Sequence, residues 1–477
     1  MLPITCRQPS FQGAAVSHSR LSYCAAAVVR RFRVGVVSCL LVFLGLMGGG
    51  AFADTGDSLR KIVVFQAGTS TQIQQQVVSQ SGSRVLNILS LINGVAIELP
   101  PQNTVQALLI LQAAPTVAGV YDDPTSSGQD GGGDNVIVIT PADPPTQEFY
   151  PWGLDAIHVP DVHQGEPGLK GSGVRVAILD TGIDMNHPDL SKNIRGGYNA
   201  MTGQDSSNFQ DDNGHGTHMA GIIAARINRL GIVGAGHQTQ IVAVKVLDQD
   251  GRGRLSDFIN GLGWVRSNKI NVVNMSLGFA EDSPILELAI QHLYEAGMIM
   301  VASAGNGGIT CAQDGGGDDG GGDDGGGDDG GGDDGGGDDG GGDDGGGDDG
   351  CQASKSDVNY PARYPWVISV AATNGDGKVT GYSQSGKVDV AAPGGSQSGP
   401  RIFSTNKGGG YGLGSGTSQA AAHVTGAMTL VLQKYPKIAF EEAVALLQET
   451  ARDLGETGER QGAGLIDVEA MIKALKR

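Results

Sequence analysis

The chain is poor in cysteine, in aromatic residues and in positive charge, and it has few long apolar runs. Each shortage excludes something. There are 32 Lys and Arg against 51 Asp and Glu, and no basic stripe interleaved with aromatics, so nucleic acid is not an expected partner. Beyond the first fifty residues no segment approaches the roughly eighteen apolar residues of a membrane-spanning helix. Of five cysteines, Cys6, Cys24 and Cys39 lie near the N-terminus, which leaves Cys311 and Cys351 for the rest of the chain. The net charge of −19 is mostly local: residues 314–350 repeat Asp-Asp-Gly-Gly-Gly and hold fifteen Asp, without which the balance is −4. With 477 residues there is room for two or three domains.

The N-terminus has the features of an export signal. Arg30, Arg31 and Arg33 precede an apolar run from Val34 to Met47, and Ala51-Phe52-Ala53 follows as a small-residue cleavage site. Residues 1–53 are therefore expected to leave, and the remainder to be secreted or held at the cell envelope. In an exported protein the pair Cys311 and Cys351, which brackets the Asp/Gly repeat, is expected to form a disulfide.

Three separated segments carry chemistry. Asp180-Thr181-Gly182 follows the apolar run Val174–Leu179, which reads as a buried parallel strand with Asp180 at its carboxyl end. His215-Gly216-Thr217-His218 opens a small-residue run ending at Ala225, and Gly416-Thr417-Ser418 opens another ending at Gly426; both runs read as buried helices. A serine hydroxyl needs a base within reach, and a histidine base needs a carboxylate to fix its tautomer. In this order and these contexts, Asp180, His215 and Ser418 resemble the catalytic triad of the subtilisin-like serine proteases, the subtilases.

That resemblance spans about 330 residues, from Pro151 onward, and carries further expectations. It implies a doubly wound α/β fold with a mostly parallel sheet over residues 147–477, and endopeptidase activity on protein and peptide substrates. Asn306, ending the run Val301–Asn306, would supply the side-chain donor of the oxyanion hole, beside the Ser418 backbone N–H. Gly251, Gly253 and Leu255 on one side, and Ser276, Leu277 and Gly278 on the other, would bind substrate as an added strand. Leu255 and Leu277 would line an apolar P4 subsite. Asn359, where relatives often have Gly, would make the P1 pocket smaller and more polar. Asp189, Asn228, Leu230 and Ile232, with Glu148, would hold a structural Ca²⁺. His187, His218, His237 and His423 are expected in the core. Two positions depart from the family pattern: Gln419 stands where relatives usually have Met, and Ala422 where they have Pro.

Residues 54–123 read as a small α+β module. A strand at Lys61–Phe65 and a polar helix at Thr69–Ser79 come first. A hairpin then turns at Asn93-Gly94, followed by a helix at Asn103–Gln112 and a strand at Val117–Tyr121. The order resembles the inhibitory, chaperone-like propeptide of subtilases, which makes this module the chain's own partner. Residues 124–146, rich in Pro, Ser, Gly and Asp, read as an exposed linker containing the maturation site. The Asp/Gly repeat within the peptidase region has too little apolar surface to fold alone. The whole reads as a self-processed pre-pro-enzyme. The rival reading is an exported, catalytically poor relative that binds through its acidic loop.

Overall fold

The computed structural model describes residues 59–127, 139–308 and 357–475. The expected signal, the Asp/Gly repeat and all five cysteines, including Cys311 and Cys351, lie outside the described residues.

The leader module begins with β1 (Arg60–Phe65), α1 (Thr71–Gln80), β2 (Arg84–Leu89), β3 (Gly94–Glu98), α2 (Thr104–Ala113) and β4 (Val117–Asp122). These strands make an antiparallel sheet in the order β2-β3-β1-β4. Alternation along the strands gives the sheet two apolar faces. Val63, Val95 and Ile97 pack with Val77, Val78 and Leu111 of the two helices. Ile62 and Ala96 point the other way and join the core of the larger domain. The hairpin turn is longer than Asn93-Gly94 alone: a 3₁₀ turn at Ser90–Ile92 precedes Asn93, which adopts the left-handed conformation that Asn tolerates.

The expected linker is not free at either end. Its first part forms β5 (Thr125–Ser127), antiparallel to β10 (Arg252–Arg254), and its later part forms β6 (Thr140–Ala142). Composition pointed to a loop here, but the open edges of two peptidase strands offer unpaired backbone groups that capture these segments regardless of side-chain pattern.

The peptidase domain continues with α3 (Trp152–Ala156), α4 (Val159–Gly165), β7 (Arg175–Asp180), β8 (Ile194–Asn199), α5 (His215–Ala224) and β9 (Gln240–Lys245). After β10 come α6 (Leu255–Arg266), β11 (Val272–Met275), α7 (Pro284–Glu295), β12 (Ile299–Ser303), β13 (Ile368–Thr373) and β14 (Val390–Pro393). The chain closes with β15 (Ile402–Asn406), β16 (Gly410–Gly414), α8 (Thr417–Lys434), α9 (Phe440–Thr450), α10 (Gly458–Gln461) and α11 (Val468–Ala474). Seven strands form a parallel sheet in the order β14-β13-β12-β11-β7-β9-β8. Successive β7 residues face opposite cores: Val176 and Ile178 pack with α5 and α8, Ala177 and Leu179 with α6 and α7. This is the expected doubly wound fold. The order reverses direction between β7 and β11, and in open α/β sheets the crevice past the strand ends at such a switch point is where ligands bind. Among the described residues no helix is long and apolar enough to cross a membrane.

Candidate active site

The switch point gathers the predicted residues. Asp180 ends β7 and is fully buried. Leu179 pairs with Met275, so the next residues, Asp180 and Ser276, lie at adjoining strand ends. His215 is the first residue of α5, and its Nδ1 lies 2.8 and 3.0 Å from the two Asp180 carboxylate oxygens. A carboxylate accepts only, so Nδ1 carries the proton and Nε2 keeps its lone pair. Nε2 is buried and has no hydrogen-bond partner among the described residues. Burial pushes the His215 pKa down, but the charge and hydrogen bond of Asp180, helped by Asp211, outweigh it and leave the pKa raised.

Asp211, which sequence reasoning passed over, builds the turn that presents His215. One oxygen accepts from Thr181 Oγ1, Asn213 N–H and Gly214 N–H, and the other from the N–H and hydroxyl of Thr217. Nothing in an Asp-Asp pair before Asn213-Gly214 announces that role.

Ser418 lies in the first turn of α8, where a backbone N–H has no intrahelical acceptor. Its Oγ donates to the Ser276 carbonyl at 3.3 Å. The Ser276 hydroxyl donates to the Ser418 carbonyl and accepts from Asn274 Nδ2, and Asn274 Oδ1 accepts from Thr425. These buried bonds fasten the end of β11 to α8. Asn306 follows β12, and its Oδ1 accepts both the N–H and the hydroxyl of Thr417 at 2.9 Å. That fixes the amide orientation and leaves Nδ2 as its remaining donor. Ser418, Asn306 and the His215–Asp180 pair therefore border one crevice. Burial lowers the pKa of His218 to about 3 and of His423 to about 4, so both are neutral core residues; His187 and His237 are buried as well.

The two expected substrate segments flank the crevice. Gly251 precedes β10, and Gly253 within it pairs with Ser126 of the leader. Leu255 and Leu277 belong to one apolar cluster together with Phe258 and Phe279. Asn359 is buried against Gly278. Already lying along β10 is the leader's own tail. The buried Asp123 carboxylate accepts from the N–H and hydroxyl of Ser256, each at 2.8 Å, and the Pro124 carbonyl accepts from Leu255 N–H. Asp123 thus caps α6, whose N-cap residue Arg254 makes no side-chain capping bond and instead donates from Nη1 to the Asp123 carbonyl. An acidic residue ending a strand was the only sequence signal for this contact.

The expected ion ligands converge. Asn228 Nδ2 donates to Asp189 Oδ1 at 2.9 Å, Tyr411 and the Ile232 N–H donate to Oδ2, and Glu148 Oε1 accepts from the N–H groups of Asn228 and Arg229. The set is oxygen-rich and fits a hard cation in its chemistry. The Asn228 amide points its NH₂ at Asp189 while its Oδ1 accepts from Leu230 N–H, so ligation requires that amide to turn over. With two carboxylates this cluster is small; among the described residues no group of three or more His, Cys, Asp or Glu gathers as a metal site.

Comparison with known proteins agrees with this architecture. The model of the subtilase family matches residues 171–465. The chain is 33% identical over 402 residues to subtilisin E of Bacillus subtilis, covering 84% of this chain and 86% of that protein. It is 37% identical to subtilisin BL of Lederbergia lenta over 327 residues, 68% of this chain and all of the relative. With the alkaline protease of Alkalihalobacillus alcalophilus it shares 36% identity over 68% of this chain and 70% of that protein.

Proposed function

The chain belongs to the subtilase family and is a serine-type endopeptidase, and from that premise we propose that Asp180, His215 and Ser418 perform its chemistry, with Asn306 in the oxyanion hole. The observation that carries this reading is the proton-bearing Nδ1 of His215 on Asp180, with Nε2 unpaired among the described residues. Ser418 Oγ turns from the Ser276 carbonyl, gives its proton to Nε2 and bonds to the scissile carbonyl carbon. The carbonyl oxygen, now negative, accepts from Ser418 N–H and Asn306 Nδ2. Collapse breaks the C–N bond, and the imidazolium returns the proton to the leaving amine. Water, activated by the same Nε2, then releases the acyl group. Loss of one oxyanion donor in a subtilisin lowers turnover about 10²–10³-fold, which sets the scale for Asn306.

The remaining assignments follow from the same reading. Residues 1–53 direct export, 54–123 form an inhibitory leader, 124–146 contain the self-processing site, and 147–477 are the peptidase, with 314–350 a solvated insertion. Substrate binds as a strand between Gly251–Leu255 and Ser276–Gly278, with Leu255 and Leu277 at P4 and Asn359 at P1. The leader tail along β10 supports this, because it occupies that strand position as a substrate would. Asp189, Glu148, Asn228 and the Leu230 and Ile232 carbonyls would hold Ca²⁺ and brace the chain that follows the leader. The Cys311–Cys351 bridge rests on the sequence argument alone. The protein acts outside the cell or at its envelope.

The test is Ser418→Ala. The variant is expected to fold, to lose labelling by a fluorophosphonate probe, to hydrolyse no peptide and to accumulate as unprocessed precursor. Hydrolysis at the wild-type rate by the folded variant refutes the assignment.

A further inference from the structure

Among the described residues Lys245 is the only lysine or arginine that is buried. It ends β9, in register with Asp180 at the end of β7. Its Nζ carries three hydrogens, and each has an acceptor. The Thr181 carbonyl, the Leu247 carbonyl and Asp212 Oδ1 all accept at 2.7 Å. Taking an ammonium group out of water is costly even when every hydrogen is paired. The reaction steps described above do not use this group, so its burial has to be explained by what it holds.

Two of the three acceptors belong to the segments that carry the base and its carboxylate. Thr181 follows Asp180 directly, and its N–H donates to Asp180 Oδ1 at 2.7 Å. Asp212 lies three residues before His215, on the turn that presents that ring. Lys245 therefore bridges the Asp180 segment to the His215 segment. Asp211 makes a second bridge between them, since it accepts from the Thr181 hydroxyl and from the Gly214 N–H. The anchor of the lysine bridge is β9 itself, because the Asp180 carbonyl accepts from the N–H groups of Val246 and Leu247. Asp180 meets Nδ1 of His215 at 2.8 and 3.0 Å only while the two segments keep their separation. An apolar side chain at position 245 leaves the buried Thr181 and Leu247 carbonyls without this donor and unties one of the two bridges.

We propose that Lys245 is a positioning residue of the protease, aligning Asp180 with His215 through Thr181 and Asp212. It touches neither substrate nor the reacting atoms. This rests on the proteolytic reading above and adds a residue to it. The test is Lys245→Met, which keeps the length of the side chain and removes its donors, in the full chain allowed to process. On a fluorogenic peptide kcat is expected to fall about 10–10²-fold, the scale of a small misplacement of catalytic groups, with KM within about twofold of wild type. The decisive arm is a double-mutant cycle. In the Asp180→Asn background Lys245→Met should lower kcat by less than about twofold, because no carboxylate remains to be aligned. Losses that multiply independently at the two positions overturn the proposal, as does a kcat for Lys245→Met within twofold of wild type. If Lys245→Met does not fold, Asp212→Ala replaces it, at a side chain that is 48% exposed and forms the outer end of the bridge. Its kcat should fall about threefold or more, and again not in the Asp180→Asn background; an unchanged kcat overturns the proposal. Wild-type protein that neither hydrolyses peptide nor takes a fluorophosphonate label would count against the proposed function instead.

Discussion

Replacing Asp123 with alanine should convert a latent enzyme into one that activates quickly. Asp123 joins the leader to the peptidase: its carboxylate accepts two hydrogen bonds from Ser256 at the N-terminus of α6, and it is itself fully desolvated. Hydrogen bonds to a charged group contribute about 1.5–3 kcal/mol each, and an anion at a helix N-terminus adds about 0.3–1 kcal/mol. Truncation also strands Arg60, whose Nε lies 3.0 Å from the same carboxylate. Arg60 and Asp123 both belong to the leader, so that pair does not enter the affinity; the two bonds to Ser256 alone contribute about 3 kcal/mol or more. At 1.4 kcal/mol per tenfold, leader affinity should fall at least 10²-fold, and most of that should appear as faster dissociation. The assay uses the full chain, allowed to process, then diluted into fluorogenic peptide. The lag before steady hydrolysis reports leader release. Asp123→Ala should shorten it by about two orders of magnitude, and Asp123→Asn, which keeps the shape and loses the charge, by about one. A lag within twofold of wild type in both variants would show that the α6 contact contributes nothing to latency.

Further outcomes follow from the active site and the ion cluster. The base must be neutral to accept the serine proton, and Asp180 holds the His215 pKa above the ordinary 6.5, so the acid limb of kcat/KM should have its midpoint above 6.5. Asp180→Asn should move that midpoint down as burial takes over, and lower kcat about 10⁴-fold; an unmoved midpoint refutes the pairing. The same raised pKa makes protonated His215 stabilise the fold below pH 6.5, a contribution lost as pH rises through the folded value. Calcium at about one hundred times its Kd should add about 2.7 kcal/mol, or roughly 5 °C in melting temperature, relative to EDTA. No difference in wild type removes the site, and an undiminished difference in Asp189→Ala moves it elsewhere.

What the sequence revealed followed physical periodicity. The apolar runs at Val174–Leu179 and Val272–Ser276 could only be strands buried on both faces, and they lie within one residue of β7 and β11. The small-residue helices after His215 and Ser418 read clearly because every residue of α5 is buried. The four leader strands were legible from alternation and an Asn-Gly turn. What stayed hidden were contacts made by backbone or by single polar atoms. β5 and β6 form on exposed edges whose attraction is independent of side chain. Asp211, Asn274 and Gln384 act through hydrogen bonds to residues far off in sequence or to main-chain atoms, and nothing in their neighbours' identities encodes those partners. The orientation of the Asn228 amide was equally invisible, since it depends on which of two atoms faces Asp189.

The order β14-β13-β12-β11-β7-β9-β8 also has a consequence in time. Every pairing in that sheet is parallel, so each requires closure of a long crossover before any ladder bond rewards it, and chains of that kind fold slowly and expose sticky edges while they do. The crevice exists only after β11 docks beside β7 across the switch and α8 arrives from the far end of the domain. The leader is a smaller object, four antiparallel strands in which β2 and β3 form a local hairpin and β1 pairs with β4. It can be finished early, and its Ile62, Leu89, Ile92 and Ala96 then present a ready apolar surface to α6 and α7. A surface that holds these two helices in place shortens the search that the slow sheet must make. On the proposed self-processing, the mature chain lacks that surface, and once unfolded it is expected to refold more slowly than the precursor.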